Sequence, residues 1–390
     1  MNKLMELEYP MRYLCAACLL FLAVGASAQK RFVYVNTQTQ PNTINAFEIN
    51  TNGSLTPLAN SPFATGGVGA EGPIESMAIV RSTGGGILYA ANGGDPSISA
   101  FTINPGTGNI TPIDGSPFLL NDTTGTYDLA ASPNRRFLFV TNEAGTSIHV
   151  LAIGANNGSL QEIAGSPFPA GANISGLFVS ANGKFLLAAG QTNNAVEVFA
   201  IAAKGVIAQV PGSPFAANNS VSDVRSNCAS NSVFTADNGS NLIDAYAMSS
   251  TGALTPAPGS PFSNGATGSG PNSFDLALAP NGKFLFTTDS FSTGVTSFAV
   301  AASGALTPVS GSPFLTFSWL GGTALTAKGD FLYAIDFASG NVVGQTVHAD
   351  GTLTTIPGSP FGPGANSPGG EVNSVITFPP PACPTVASTD

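Results

Sequence analysis

Three aspartates and one arginine are the residues of this chain whose types and spacing could do chemistry. Asp128, Asp223 and Asp275 fall at equivalent places in a repeating unit of the sequence, and Arg225 follows Asp223 by two residues. A carboxylate can act as a general base that activates water, and a guanidinium can polarise a carbonyl group. Carboxylate oxygens are also the ligands that Ca²⁺ prefers. The four residues predict a hydrolytic centre or a calcium site, provided that the fold brings them together.

The repeating unit is marked by the tripeptide Ser-Pro-Phe, which occurs seven times. Its serines are Ser61, Ser116, Ser166, Ser213, Ser260, Ser312 and Ser359, at intervals of 47 to 55 residues. Each unit also holds an aromatic-aliphatic run (as in 137–140), an alternating apolar run (as in 148–153) and, in most units, a segment resembling Gly-x-Leu-Thr-Pro (as in 252–256). A period of this length indicates a repeat architecture.

The composition indicates the secondary structure of the repeating unit. Only 9% of the residues are charged, compared with about 25% in an average soluble protein, and the chain has 46 Gly and 29 Pro. Short runs rich in Val, Ile, Phe and Thr, separated by Asn-Gly and similar pairs, are typical of strands and hairpins. Seven units of four such strands predict an all-β fold, a seven-bladed β-propeller of four-stranded antiparallel blades. We label the strands A to D outward from the axis; the prolines of Gly-x-Leu-Thr-Pro suit the outer strand D.

The Ser-Pro-Phe copies have two interpretations. They could be a ligand motif displayed seven times, or they could be part of the scaffold. A single functional site does not need seven symmetric copies, which favours the scaffold. We therefore expect Ser-Pro to end strand D and Phe to pack between adjacent blades.

The two ends of the chain complete the domain organisation. The chain begins with strands B, C and D and ends with an isolated A-like strand at 374–378, which should join the N-terminal blade and close the ring. We expect a propeller over 29–378 and a Pro-rich tail over 379–390. Residues 1–28 resemble a secretory signal peptide, with an apolar core at 13–24 and Ala26-Ser27-Ala28 as the cleavage site. This predicts a secreted protein, periplasmic or extracellular, without a membrane span.

Two cysteines, Cys228 and Cys383, remain outside the signal segment. Both follow an A strand, but their units lie nearly opposite each other on the ring. They can form a disulfide only if the tail crosses the ring.

Acidic residues should gather at one end of the axis. The A-strand heads and the B-strand ends share one face, which would carry Glu75, Asp128, Asp223, Asp275, Asp237, Asp289 and Asp336. The opposite A-to-B turns carry Arg135, Arg136, Lys184, Lys283 and Lys328. Trp319 could stack on a sugar at the acidic mouth. The alternatives are that Asp and Asn cap strand ends through hydrogen bonds and that the Trp packs in the core.

The unit "FLFVTN…SIHVLAI…NGSLQEIAGSPF…SGLFVSANGKFLL" resembles the repeat of the lactonase family of seven-bladed propellers, the family of 6-phosphogluconolactonase. Phe139-Val140-Thr141-Asn142 is also similar to the Tyr-Val-Thr-Asn (YVTN) repeat of secreted propellers. The resemblance covers about 31–378 and implies a lactone-hydrolysing enzyme whose His, Arg and acidic side chains surround the axial channel. In this chain the A-strand heads offer acids and Arg225, and the two histidines, His149 and His348, fall in C-strand positions away from the axis.

Two hypotheses about function follow. The first is a secreted hydrolase of a small lactone, in which Asp128, Asp223 or Asp275 activates water and Arg225 polarises the carbonyl, with no required cofactor and with Ca²⁺ at the acidic mouth as an alternative. The second is a non-enzymatic surface or periplasmic propeller that binds a glycan or a protein partner. A net charge of −10 and the lack of a basic stripe argue against nucleic acid. We expect a monomer.

Overall fold

The computed structural model describes residues 29–37, 39–70, 76–82, 84–142, 144–171, 173–265, 273–289, 294–314, 319–337, 339–362 and 374–383. Residues 1–28, where the sequence predicts a signal peptide, and Glu75 lie outside these ranges. Within them, the secondary structure consists of β-strands.

The strands form seven sheets arranged as blades. The first four blades hold β1 (Phe32–Asn36), β2 (Thr43–Ile49), β3 (Leu55–Pro57) and β4 (Phe63–Ala64); β5 (Met77–Ser82), β6 (Gly85–Asn92), β7 (Ser97–Ile103), β8 (Ile110–Pro112) and β9 (Phe118–Leu119); β10 (Thr126–Ala131), β11 (Phe137–Asn142), β12 (Ser147–Ile153), β13 (Leu160–Glu162) and β14 (Phe168–Pro169); and β15 (Ile174–Val179), β16 (Phe185–Gly190), β17 (Ala195–Ile201), β18 (Ile207–Gln209) and β19 (Phe215–Ala216).

The last three blades follow the same pattern. They hold β20 (Val221–Ser226), β21 (Ser232–Asp237), β22 (Leu242–Met248), β23 (Leu254–Pro256) and β24 (Phe262–Ser263); β25 (Ser273–Leu278), β26 (Phe284–Asp289), β27 (Val295–Val300) and β28 (Leu306–Pro308); and β29 (Leu320–Leu325), β30 (Phe331–Asp336), β31 (Asn341–Val347) and β32 (Leu353–Thr355). The C-terminal strand β33 (Ser374–Phe378) pairs antiparallel with β1, from Phe32 opposite Phe378 to Asn36 opposite Ser374. The chain ends thus share the first blade, as the sequence predicts, and the ring has no open edge at that point.

The hydrophobic core lies between the blades. One cluster joins Phe139 and Val150 of the third blade to Leu177 and Leu186 of the fourth, and every such cluster contains residues of two neighbouring blades. Buried tyrosines add hydrogen bonds across the boundaries: the Tyr34 hydroxyl donates to the carbonyl of Gly108 at 2.7 Å. Gly108 has a φ of 74°, and a Cβ there would lie 2.3 Å from the Phe32 ring, so only glycine fits.

The Ser-Pro-Phe copies belong to the scaffold, and their role differs in detail from the expected one. Strand D is interrupted, and both of its pieces pair with strand C. At the interruption, the serine hydroxyl accepts the N–H of a C-strand residue at 2.9 to 3.0 Å in all seven blades. The serine thus replaces the backbone carbonyl that the interruption removes. The phenylalanine is half-buried: Phe168, for instance, packs on the cluster between the third and fourth blades.

The acids at the B-strand ends are buried, so they do not form an exposed mouth. Asp237 has no exposed surface, and its pKa is raised to about 9 by burial and then by the neighbouring Asp244. Asp244 accepts two hydrogen bonds from Asn218, at 2.7 and 2.9 Å. With its pKa near 9, Asp237 holds a proton at neutral pH. At the same place in the third blade, Asn142 donates its amide to Asp122 at 2.7 Å.

The first prediction concerns the serine at the interruption of strand D. Ser213→Ala leaves the fully buried Val198 N–H without its acceptor, so we expect a loss of about 1–3 kcal/mol in the free energy of unfolding. Denaturant unfolding measures this loss. The exposed Ser303→Ala is the control and should change stability by less than about 0.5 kcal/mol. Equal stability of the two variants would show that the serine is not a structural acceptor.

The second prediction concerns Asp237. Its native pKa lies above the ordinary 3.8, so the folded protein holds a proton that the unfolded chain has lost, and stability falls as the pH rises from about 4 to 9. Asp237→Asn should donate to Asp244 as Asn142 does to Asp122. We expect it to be more stable than the wild type at pH 9 by on the order of 2 kcal/mol, with little difference near pH 4.

Melting temperatures across this pH range check the Asp237 prediction. Asp114→Asn makes the same change of charge at an exposed position and should leave the pH profile unchanged. A profile for Asp237→Asn parallel to that of the wild type would mean that Asp237 is already ionised in the folded protein.

Candidate functional site

The candidate site is a cavity of about 680 Å³ on the axis of the ring, lined by all seven inner strands. Volumes of 300 to 1,000 Å³ are usual for small-molecule sites, which combine apolar walls with a few polar groups. Here Asp128, Asp223, Asp275 and Arg225 all contribute to the wall. The structure therefore brings together the four residues that the sequence singled out.

Each aspartate is held at a bend of its inner strand. The pairing of β10, β20 and β25 with the next strand of the same blade shifts by one residue, between Thr126 and Leu129 in β10 and just before the aspartate in β20 and β25, which is a β-bulge. A bulge turns side chains away from the regular alternation and leaves backbone groups unpaired. The three bulges explain how these side chains can line the axial cavity and also reach the backbone of the next blade.

The carboxylates use the unpaired backbone groups of the neighbouring blade. Asp223 accepts the N–H of Leu276 at 3.0 Å, Asp275 accepts the N–H of Thr323 at 2.6 Å, and Asp128 accepts the N–H of Leu177. Each bond crosses a blade boundary. The aspartates are therefore structural ties as well as cavity residues.

Arg225 lies between two of the carboxylates. Its Nη1 donates to Asp223 at 2.6 Å, and its Nη2 donates to Asp275 at 3.2 Å. Its Nε donates to the carbonyl of Leu276, its Nη1 donates also to that of Val224, and the guanidinium lies 5.5 Å from the centre of the Phe178 ring. Four of its five N–H groups are thereby used. The second N–H of Nη2 remains for a ligand, and a quarter of the side chain is exposed.

The electrostatics of the cavity favour a carboxyl that takes up protons. Burial raises the pKa of Asp128, although the charge of Arg225 and hydrogen bonds oppose the shift. Burial also raises the pKa of Asp223 well above its usual value, against the opposing charge of Arg225 and with the help of Asp275. The carboxylates raise the pKa of Arg225, which stays charged. Asp128 is half-buried and, unlike Asp223 and Asp275, makes no direct ion pair with Arg225 in the described part of the chain, so among the three acids it is best placed to exchange a proton with a ligand.

The other predicted ligand-binding residues lie elsewhere. Asp237, Asp289 and Asp336 are at least nine-tenths buried and do not line the cavity. Asp289 accepts hydrogen bonds from Asn264 and Thr296, which agrees with the alternative that these acids cap strand ends. Trp319 is 37% exposed and packs on Phe337, with ring centres 5.8 Å apart. Phe337 in turn packs edge-on against Phe274, which lines the cavity, so these two rings connect Trp319 to the site.

The basic residues are where the sequence predicts them. The side chains of Arg135, Arg136, Lys184, Lys283 and Lys328 are exposed in the A-to-B turns. The sequence did not predict that Arg81 and Arg135 would reach the rim of the cavity at that end. The histidines are remote from it: His149 is fully buried on β12 between Asp122 and Glu162, and His348 follows β31.

The C-terminal tail crosses the ring, and the disulfide forms. Cys383 bonds to Cys228 with a Cα–Cα distance of 5.3 Å. The tail leaves β33 in the first blade, and Cys228 follows β20 in the fifth blade, on the far side of the axis. Pro380 to Cys383 line the cavity at its A-to-B end. We call this segment the strap.

Two further properties bear on the hypotheses. In the described ranges, no three His, Cys, Asp or Glu side chains are arranged to hold a metal ion; at the axis, Arg225 provides the positive charge between the carboxylates. No helix in the part of the chain that the structure describes is long and apolar enough to cross a membrane.

The chain is similar to known lactonases along much of its length. The family model "Lactonase, 7-bladed beta-propeller" matches residues 24–171 and 116–219, which together are just over half of the chain. A 6-phosphogluconolactonase of Sodalis glossinidius is 29% identical over 171 residues, 42% of this chain and 49% of that protein. One of Pectobacterium carotovorum is 26% identical over 119 residues, 29% of this chain and 34% of that protein. The chain thus spans between a third and a half of the length of these curated relatives.

Solved structures share the fold over nearly the whole chain. A putative 6-phosphogluconolactonase from Bacteroides fragilis superposes with a TM-score of 0.71 at 18% identity, over 90% of this chain and 99% of that one. The periplasmic gluconolactonase of Pseudomonas aeruginosa gives 0.66 at 18% identity, over 89% and 99%. At these identities the superpositions establish the fold, and the family model establishes the kinship. This chain belongs to the lactonase family of seven-bladed β-propellers.

Proposed function

We propose that the protein is a secreted enzyme that hydrolyses a small, neutral lactone in the axial cavity. The observation that carries the proposal is the convergence of Asp128 and Arg225, with one free guanidinium N–H, on a cavity of ligand size. The family supports lactone hydrolysis as the reaction class. The family match favours this reaction over the alternative, a glycan-binding or protein-binding propeller.

Each residue has a step in the reaction. The Nη2 group of Arg225 donates to the lactone carbonyl and stabilises the oxyanion that forms when water attacks the carbonyl carbon. Asp128 takes the proton of that water, because its raised pKa makes it a stronger base than an ordinary aspartate. When the ring C–O bond breaks, Asp128 returns the proton to the alkoxide, and the product is a hydroxy acid. Asp223 and Asp275 fix the guanidinium in place.

Secretion is supported by two independent features. Residues 13–24 and Ala26-Ser27-Ala28 have the pattern of a signal peptide with a cleavage site. The Cys228–Cys383 disulfide suits an oxidising compartment. No cofactor enters the proposed steps, and a monomer holds the complete site.

The third prediction tests Asp128 and Arg225 as catalytic residues. With a neutral δ-lactone, Asp128→Asn should lower kcat by about 10²–10⁴-fold, because the base is lost. Arg225→Ala should lower it by about 10²–10³-fold, because the oxyanion loses its donor. In the wild type, kcat/KM should rise with pH through a pKa above the 3.8 of an ordinary aspartate. The pH profile of Asp128→Asn should not show this rise.

The matched control is Tyr333→Phe. It removes a blade-to-blade hydrogen bond, from the Tyr333 hydroxyl to the carbonyl of Gly53 at 2.7 Å, at a distance from the cavity. It should lower stability by about 1 kcal/mol and leave kcat unchanged. If all three variants lose activity only in proportion to lost folded protein, Asp128 and Arg225 are ties between blades and nothing more.

The fourth prediction concerns the charge of the substrate. A phosphate group needs several free donors, and Arg225 has one, with carboxylates on both sides. Neutral δ-lactones should therefore be hydrolysed with kcat/KM at least about tenfold above that of 6-phosphogluconolactone, with a wider gap at low salt. Steady-state kinetics at two salt concentrations measure this. Efficient turnover of the phosphorylated lactone, lost in Arg135→Gln, would instead place a phosphate site at the A-to-B rim.

A further inference from the structure

The cavity has two chemically different ends. The carboxylates lie at the level of the bulges, toward the strand heads, and Arg225 lies two residues beyond the bulge in β20. Three residues beyond Asp128 and Asp275, toward the A-to-B turns, the wall includes Ala131 and Leu278, with Ile79 at the same level on β5. These three side chains are half-buried, so each presents apolar surface to the cavity.

The strap completes this apolar end. Pro380, Pro381 and Ala382 carry no polar side-chain atoms, and the prolines have no N–H group to offer a ligand. Pro381 and Ala382 are exposed on the outside of the ring while they also line the cavity, so the wall here is one chain thick. Its two ends are fixed by the pairing of β33 with β1 and by the Cys228–Cys383 bond.

We infer that the cavity takes a neutral lactone that carries an apolar substituent, and that the strap is the wall that limits the length of this substituent. The lactone ring lies at Arg225, and the substituent extends past Ile79 and Leu278 toward the strap. The inference rests on the proposed function for the position of the carbonyl group. The apolar end and the strap stand on the lining residues and the disulfide.

A charged substituent is the competing outcome. Arg81 and Arg135 lie at the same rim, and both are exposed. Arg135 donates to the carbonyl of Arg81 at 3.0 Å, which holds its guanidinium at the surface rather than in the cavity. The half-buried wall between Arg225 and the rim is apolar, and this favours the neutral substituent.

Binding can be measured without hydrolysis. The probes are 3-alkylcyclohexanones, in which a methylene group replaces the ring oxygen of a δ-lactone, with chains from methyl to decyl. In calorimetric titration of the mature protein, affinity should rise roughly three- to fourfold for each buried methylene up to a limiting length, and then fall. Affinity that does not depend on chain length would show that the substituent does not bind at an apolar end of the cavity. A carboxyalkyl ketone that binds better than its neutral counterpart would show that this end binds a charged substituent.

Untying the strap tests its role. In Cys383→Ser the limiting length should move to longer chains, with a gain of about tenfold for a chain two carbons beyond the wild-type limit. Reductant should have the same effect on the wild type and no effect on a Cys228→Ser/Cys383→Ser variant. An unchanged limit in folded, untied protein would show that the strap is not the wall.

A substitution in the cavity wall tests the inference even if the protein without the Cys228–Cys383 disulfide is unstable. Ile79→Thr keeps the branch at Cβ, shortens the side chain by one carbon and places a hydroxyl in the wall while the disulfide stays intact. It should weaken the octyl ketone several-fold and leave the methyl ketone unchanged. Equal weakening of both would mean that Ile79 does not contact the chain. Chain-length dependence without any lactone hydrolysis would sustain the binding site and reject the proposed enzyme.

Discussion

The hydrogen bonds that tie neighbouring inner strands together are the interaction on which the rest of the structure depends. The blades converge at the axis, where each inner strand pairs with only one strand of its own sheet. The bulges leave backbone N–H groups unpaired there, and a buried N–H without an acceptor is unfavourable. Carboxylates of Asp128, Asp223 and Asp275 supply acceptors across three boundaries. Between the second and third blades a hydroxyl serves the same purpose, since Ser76 accepts the N–H of Leu129 at 2.7 Å.

The use of aspartates as acceptors between the blades places carboxylates in a cavity, and these carboxylates give the site its chemistry. A hydroxyl tie is neutral, whereas a carboxylate tie brings a charge that burial penalises. The charge of Arg225 offsets part of that penalty for Asp223 and Asp275. Burial raises the pKa of Asp128 as it does that of Asp223, but Asp128 makes no direct ion pair with Arg225. A scaffold requirement thereby leaves one basic carboxylate and one partly free guanidinium facing the same space.

The sequence was sufficient for the architecture because the repeat is strong. The period of Ser-Pro-Phe predicted the number of blades, and the missing A strand at the N-terminus predicted that residues 374–378 would join the first blade. Asp128, Asp223 and Asp275 were predicted because they break the repeat at the A-strand heads, and Arg225 was predicted because it follows Asp223 by two residues in the same strand. The role of the Ser-Pro-Phe serine as a hydrogen-bond acceptor was not predicted. The sequence does not reveal that strand D is interrupted and that both of its pieces pair with strand C.

The errors have a common physical cause. In a propeller both faces of a blade are covered, so alternation along a strand does not reveal which side chains reach the axis. Asp237 and Asp289 follow the same Asn/Asp pattern as exposed turn residues and are nevertheless buried. The strap could not be predicted either, because a link between residues 155 apart in sequence depends on the path of the tail. Two cysteines alone allow it without requiring it.

The central claim is that the residues that tie the blades at the axis also bind and activate a lactone. A crystal structure of Asp128→Asn soaked with a neutral δ-lactone tests this most directly, since the slow variant should retain the intact ring. The account predicts the lactone in the axial cavity with its carbonyl oxygen about 3 Å from Nη2 of Arg225. A lactone bound outside the cavity, or one inside it with its carbonyl turned away from Arg225, would contradict the account.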